Sequence, residues 1–257
     1  MTFRLASNET ALGERPAHWR LICPRHSRRD LGRAPASIDA AAIRRAAAAY
    51  AEPASTFGLE LKLAYAMEAC GLGGDEETRR RRPFFRLAQE PIIWSWWDAL
   101  QRVPLDRAEM LACASMLNGQ PVAYREREMF AHGGGVEPPL YYETPDAARS
   151  WIGDIAAVDG AEGDPVKKAL YRFVRTVIAH PFTDANGRFA RAALQAGLAR
   201  AGVIASPCLA LAPLFYLRAV DVRAALRDLS RSGCWRDAFD RLGAVLAKAP
   251  RWLAAPQ

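Results

Sequence analysis

Residues 180 to 191 read His-Pro-Phe-Thr-Asp-Ala-Asn-Gly-Arg-Phe-Ala-Arg and place a base, a carboxylate, a turn and two guanidinium groups within one short segment. His180 can take a proton near neutral pH. Asp184 is a hard oxygen ligand suited to Mg²⁺, and Asn186-Gly187 predicts an unusual backbone turn. Arg188 and Arg191 are three apart, so on a helix they share a face and can clamp a polyphosphate. Singly, each has an ordinary structural reading: a helix-end cap, a surface turn, a solvated arginine pair. In this order, between two apolar segments, they point to nucleotide chemistry.

The elements that must position these groups are helical. Residues 164–180 carry Ala169, Leu170, Phe173, Val174, Val177 and Ile178 at helical spacing, with His180 at the end. After the signature, Leu194, Leu198, Val203 and Ile204 continue a second helix that starts near Arg188. A helix ending, a loop through Gly187 and a new helix would point free N–H groups into the loop, which suits an anion. Phe182 is expected to face inward and anchor that loop.

Upstream, helices are expected over 37–51 behind Ser37, over 59–70, over 92–101 and over 105–118. The Gly71 to Gly74 stretch and the charged run to Arg82 mark a boundary before Pro83. Residues 120–143 differ in character: a short run from Tyr124 to Phe130, then Gly133-Gly134-Gly135, then Pro138-Pro139, which reads as a hairpin or flap. A helix is expected from about 144 to 158.

A length of 257 residues suits one large domain or a domain with an added segment. The net charge of +7 sits in the ends. Residues 1–50 have nine Arg against four acids, residues 51–191 seventeen basic against twenty acidic, and residues 192–257 nine basic against four acidic. The pI of 9.4 comes with no helix-turn-helix, zinc-finger or RRM signature, so nucleic acid is not indicated as a partner. Five widely spaced cysteines without a C-x-x-C pair favour reduced thiols and a cytoplasmic setting. Cys113 and Cys208 read as small buried hydrophobes. No stretch reaches the ~20 apolar residues of a membrane span, and no secretory leader is visible. Delivery into a host cell by specialised secretion would leave no signal in such a reading.

The segment resembles the signature of the Fic (filamentation induced by cAMP) family, His-x-Phe-x-Asp/Glu-Gly-Asn-Gly-Arg-x-x-Arg, with Ala185 in place of one Gly. Ala in that slot is typical of the related Doc branch of the superfamily, whereas Gly187-Arg188 is Fic-like. The resemblance extends over the order of features from about Ala99 to Leu242, including a flap entrance at Tyr124-Arg125. It implies a mainly α Fic-fold core, spanning 91–257 with a β-hairpin flap near 124–141, behind an N-terminal accessory helical region over 1–90.

The activity implied is transfer of AMP from ATP, or from another nucleoside triphosphate, to a Ser, Thr or Tyr hydroxyl of a target protein. His180 would be the base and Asp184 the Mg²⁺ ligand. Asn186, Gly187, Arg188 and Arg191 would hold the phosphates, Arg191 at the γ end. Phe130, Ala131, His132, Gly133, Gly134 and Gly135 would form the flap that binds the target. A Doc-like kinase reaction and a catalytically degenerate binding module are the alternatives.

The inhibitory pattern Ser/Thr-x-x-x-Glu-Gly/Asn of many relatives does not occur in strict form. An antitoxin-like inhibitor chain, or no restraint of this kind, is favoured over Glu60 in a divergent helix. Trp94, Trp96 and Trp97 are expected in a core and Arg79 to Arg82 in a solvated loop, and His132 is expected to be exposed.

Overall fold

The computed structural model describes residues 19–25, 30–32, 40–48, 106–131, 140–204 and 219–247. In chain order the elements are β1 (Trp19–Arg20), α1 (Ala40–Ala48), α2 (Arg107–Asn118), β2 (Phe130–Ala131), β3 (Leu140–Tyr141), α3 (Pro145–Ala148), α4 (Trp151–Gly160), α5 (Pro165–Ala179), α6 (Asn186–Arg200), α7 (Ala219–Ser232) and α8 (Trp235–Leu246). The chain is mostly helical with a small sheet, which is the class expected.

Helix α5 is the central element. Asp164 caps it by accepting from the N–H groups of Val166 and Lys167, and Pro165 occupies the first turn where no N–H is needed. Most of its residues from Val166 to Ala179 are buried, charged ones included. Arg172 is held by Asp159 of α4, which Arg200 of α6 also reaches at 3.1 Å. Arg175 pairs with Glu143 and with Asp154, each at 2.7 Å. Charges survive in the middle of the protein because each has a partner and hydrogen bonds.

Helix α6 returns along α5 after a short loop, and Gly197 sets the approach. A Cβ built on Gly197 would lie 2.7 Å from the Ala169 Cβ and 2.8 Å from its Cα. Trp151, Phe182 and Phe189 form an edge-to-face aromatic cluster where α4 and α6 meet under the connecting loop. On the far side, Tyr171 of α5 packs on Trp235 of α8.

The sheet has the order β1-β3-β2, with β2 antiparallel and β1 parallel to β3. The β2–β3 pairing is the expected hairpin. Strand β1 was not anticipated, because two residues are too few to show a period of two. It is continued by the Leu21 N–H donating to the Tyr141 carbonyl at 2.7 Å, and Leu21 and Cys23 enter the core.

Among the described residues, two of the expected helices differ at their ends. The one expected over 37–51 is described as α1, and the one over 105–118 starts after the Asp106 cap and stops at Gly119, whose φ is 75°. The helix expected over 144–158 is divided into α3 and α4. Arg149 and Ser150 lie between them, where the Ser150 hydroxyl donates to the Ala147 carbonyl. The helices expected over 59–70 and 92–101, the three tryptophans, Arg79 to Arg82, Glu60, Pro138-Pro139 and Cys208 lie outside the described residues. Cys113 is fully buried, and desolvation pushes its thiol up to about 12.

Candidate active site

His180 ends α5 in the left-handed region, with φ 45° and ψ 56°, and its N–H donates to the Thr176 carbonyl at 2.9 Å. Pro181 then prevents continuation of the helix. The loop is sewn down on its other side. Arg125 N–H donates to the Pro181 carbonyl at 3.0 Å, Thr183 N–H to the Ala123 carbonyl at 2.9 Å, and Tyr124 bridges Phe182 as an isolated antiparallel pair. Phe182 is completely buried.

The imidazole is largely enclosed and lies on the ring of Tyr142, with centroids 3.6 Å apart and planes 15° from parallel. Nδ1 is buried without a hydrogen-bond partner among the described residues. Desolvation, and after it the Arg125 guanidinium, lower the pKa from 6.5 to about 3, against weaker opposing effects of the Val177 carbonyl and Asp184. His180 is therefore neutral, the form a base requires.

Arg125 is a member of the site that residue patterning alone did not single out. It is 7% exposed, and its guanidinium donates to the carbonyls of Ala179 (2.7 Å), His180 (2.5 Å), Arg127 (3.1 Å) and Glu143. It thus ties the end of α5 to both sides of the flap. No spacing rule links position 125 to 180; the Tyr124-Arg125 pair at the flap entrance was the only sequence signal.

The turn before α6 departs from the expectation that Asn186-Gly187 forms it. The left-handed residue is Ala185, with φ 65° and ψ 1°, while Asn186 and Gly187 already belong to the helix. The Asn186 side chain points inward, accepting from the Phe182 N–H and donating to the Phe182 carbonyl, both at 2.8 Å. Asn186 therefore staples the loop, and what it can offer an anion is its backbone N–H. Gly187 has another use: a Cβ there would meet Arg191 Nη1 at 3.3 Å, so the missing side chain lets Arg191 lie across the first turn.

No side chain caps α6, so the first-turn N–H groups from Asn186 to Arg188 form a positive helix end suited to phosphate. Arg188 is turned to α2, donating to the Leu117 carbonyl at 2.7 Å and to Asn118 Oδ1 at 2.5 Å. Asp184 is exposed. Its Oδ1 accepts from the Ala185 N–H at 2.6 Å and lies 3.6 Å from Arg188, while Oδ2 makes no hydrogen bond or ion pair among the described residues. Among those residues no cluster of three or more His, Cys, Asp or Glu could hold a metal. One available carboxylate nevertheless fits Mg²⁺, which commonly takes its other ligands from phosphate and water.

In the flap, Phe130 is 44% exposed and its ring packs at 5.2 Å on Tyr141, with Ala131 half-buried beside it. His132, Gly133, Gly134 and Gly135 lie outside the described residues. No helix among those described is long and apolar enough to cross a membrane.

Comparison with known proteins agrees with this fold. Residues 104–198, from the start of α2 to near the end of α6, match the family model of the Fic/DOC family. The chain contains a Fic/DOC family domain. Its fold is similar to that of a Fic family protein from Desulfovibrio desulfuricans G20, with a TM-score of 0.52 at 16% identity, over 87% of this chain and 64% of that one. The chain thus spans less than two thirds of that protein. Fic-1 from C. elegans matches with a TM-score of 0.39 at 14% identity, over 84% of this chain and 70% of that chain. No curated protein matches the chain significantly.

Within this Fic domain, Ala185 gives a direct test of the loop. A left-handed Ala costs about 1–2 kcal/mol. Its methyl is buried and returns about 0.8 kcal/mol, and Gly would add entropy to the unfolded chain. These effects nearly cancel, so Ala185→Gly should move the thermal midpoint by less than about 2 °C. Ala185→Val, with a branched side chain at the same φ, should lower it by several degrees. Calorimetry of the two variants checks the pair, and a fully tolerated Val would count against the left-handed turn.

Proposed function

We propose that the chain is a nucleotidyltransferase that moves AMP from ATP to a Ser, Thr or Tyr hydroxyl of a target protein, releasing pyrophosphate. The observation that carries this reading is a neutral histidine separated by one short loop from an uncapped helix N-terminus. A base and an anion site so near each other would suit attack at phosphorus.

The His180 imidazole takes the proton as the target oxygen forms its bond to the α-phosphorus. The bond from phosphorus to the pyrophosphate oxygen breaks, and the electron pair leaves with pyrophosphate. The N–H groups at the start of α6 and the Arg191 guanidinium stabilise charge on the phosphates. Asp184 would hold Mg²⁺, which when bound neutralises phosphate oxygens. Phe130 and Ala131 offer a strand edge on which a target segment could pair through its backbone.

The test is the position of the label. Incubation with a lysate and ATP labelled at the α-phosphate should mark a protein band, whereas γ-labelled ATP should not. A band with the γ label alone would replace this reading with a kinase, and bound nucleotide without either band would replace it with a binding module. Asp184→Ala should abolish Mg²⁺-dependent labelling. Labelling with the parental Mg²⁺ requirement would remove Asp184 from its role.

A further inference from the structure

We propose that Tyr142 is a positioning residue for His180, its ring fixing the plane in which the imidazole works. The inference rests on His180 being the base. His180 sits past the last turn of α5 in a left-handed conformation, and what α5 supplies to its ring is the Val177 carbonyl. A catalytic or ligating histidine is ordinarily oriented by a hydrogen bond at its second nitrogen. Here Nδ1 makes none among the described residues, and the Val177 carbonyl is the backbone acceptor that acts on the ring. Among the described residues, the ring that stacks on His180 is Tyr142, with centroids 3.6 Å apart and planes 15° from parallel.

Tyr142 is itself held firmly. Its N–H donates to the Met129 carbonyl at 3.0 Å, and its own carbonyl accepts from Arg20 at 3.5 Å. The next residue, Glu143, donates its N–H to the Ile178 carbonyl at 3.2 Å, which locks the segment against α5. The stacked ring is therefore an extension of the sheet laid against the base.

The charged and polar groups facing the pair are Arg125 from the segment before β2, Asp184 from the loop, the Val177 carbonyl from α5, and Arg223 of α7, which acts on the Tyr142 phenol. Once the imidazole gains a proton, the π face adds a cation–π attraction. Orientation and this attraction act at the moment of transfer and not on nucleotide binding.

Tyr142→Leu should lower kcat for transfer by about tenfold with the nucleotide KM unchanged, and Tyr142→Phe should restore the parental rate. The stacking has its own spectroscopic signature. The ring protons of His180, assigned by their loss in His180→Ala, should be shielded in the parent and in Tyr142→Phe and move downfield in Tyr142→Leu. Tyr142→Met is a second replacement of flexible shape and should behave as Leu does. If His180→Ala abolishes transfer while Leu and Met both keep kcat within about twofold, or if the ring shifts do not respond, Tyr142 has no such role. If His180→Ala retains transfer, the base assignment itself fails, and the ring shifts still decide whether the stack exists.

Discussion

His180→Ala is expected to lower transfer of the α-phosphate label by about 10²–10⁴, the range over which a positioned general base contributes. Nucleotide affinity should change little, because the groups proposed to bind phosphate belong to the start of α6 and not to the end of α5. Transfer within tenfold of the parent, about 1.4 kcal/mol in barrier, would show that another group takes the proton. The same variant has a second readout. The folded pKa of His180, about 3, lies below the ordinary 6.5, so the unfolded chain binds a proton that the folded one refuses. The stability associated with the neutral ring is present above pH 6.5. It is lost as pH falls toward 3, at up to about 1.4 kcal/mol per unit. Denaturant titrations at several pH values should show this dependence in the parent and a shallower one in His180→Ala.

The second large effect is on folding. Arg125→Ala removes the donor shared by four carbonyls, two of them at the C-terminal end of α5. An enclosed carbonyl left without a donor costs about 1–3 kcal/mol, and the four are coupled, so the losses do not simply add. A destabilisation of about 3 kcal/mol or more follows, or roughly 6–12 °C in thermal midpoint for a chain of this size. Arg125→Lys should recover less than half of it, because one ammonium cannot copy the flat fan of five donors. A midpoint within about 2 °C of the parent for Arg125→Ala would mean that the carbonyls find water instead. Loss of transfer without loss of stability would place Arg125 closer to the chemistry than this geometry does.

The helices around the site were legible because they carry local signals. Asp164-Pro165 opens α5, an apolar face runs along it, and His180-Pro181 closes it. The fold class and the hairpin were legible for the same reason, with glycines and prolines punctuating the flap. What escaped was non-local or a matter of one residue. Arg125 reaches the carbonyls of Ala179 and His180, more than fifty positions away, and Tyr142 meets His180 across 38 positions. Asn186-Gly187 looked like the turn because both residues tolerate positive φ. The helix starts two residues earlier than that reading assumed. Asn186 is then free to aim its amide at the Phe182 backbone, and the strained position falls on Ala185.

The contact between Gly197 and Ala169 has a consequence for the chemistry at a distance. Each residue lies about 11 positions from the site end of its own helix, roughly 16 Å at 1.5 Å per residue. The two helices therefore approach closely here, with the proposed base beyond the end of one and the proposed phosphate-binding turn at the start of the other. A side chain inserted at position 197 would have to displace backbone, since Ala169 Cα stands only 2.8 Å from where the new carbon would sit. Such a shim would part the helices without touching either proposed reacting group, and near-attack geometry tolerates little of that. One missing methyl group in the middle of the protein thus acts as the gauge that sets the working gap of the site.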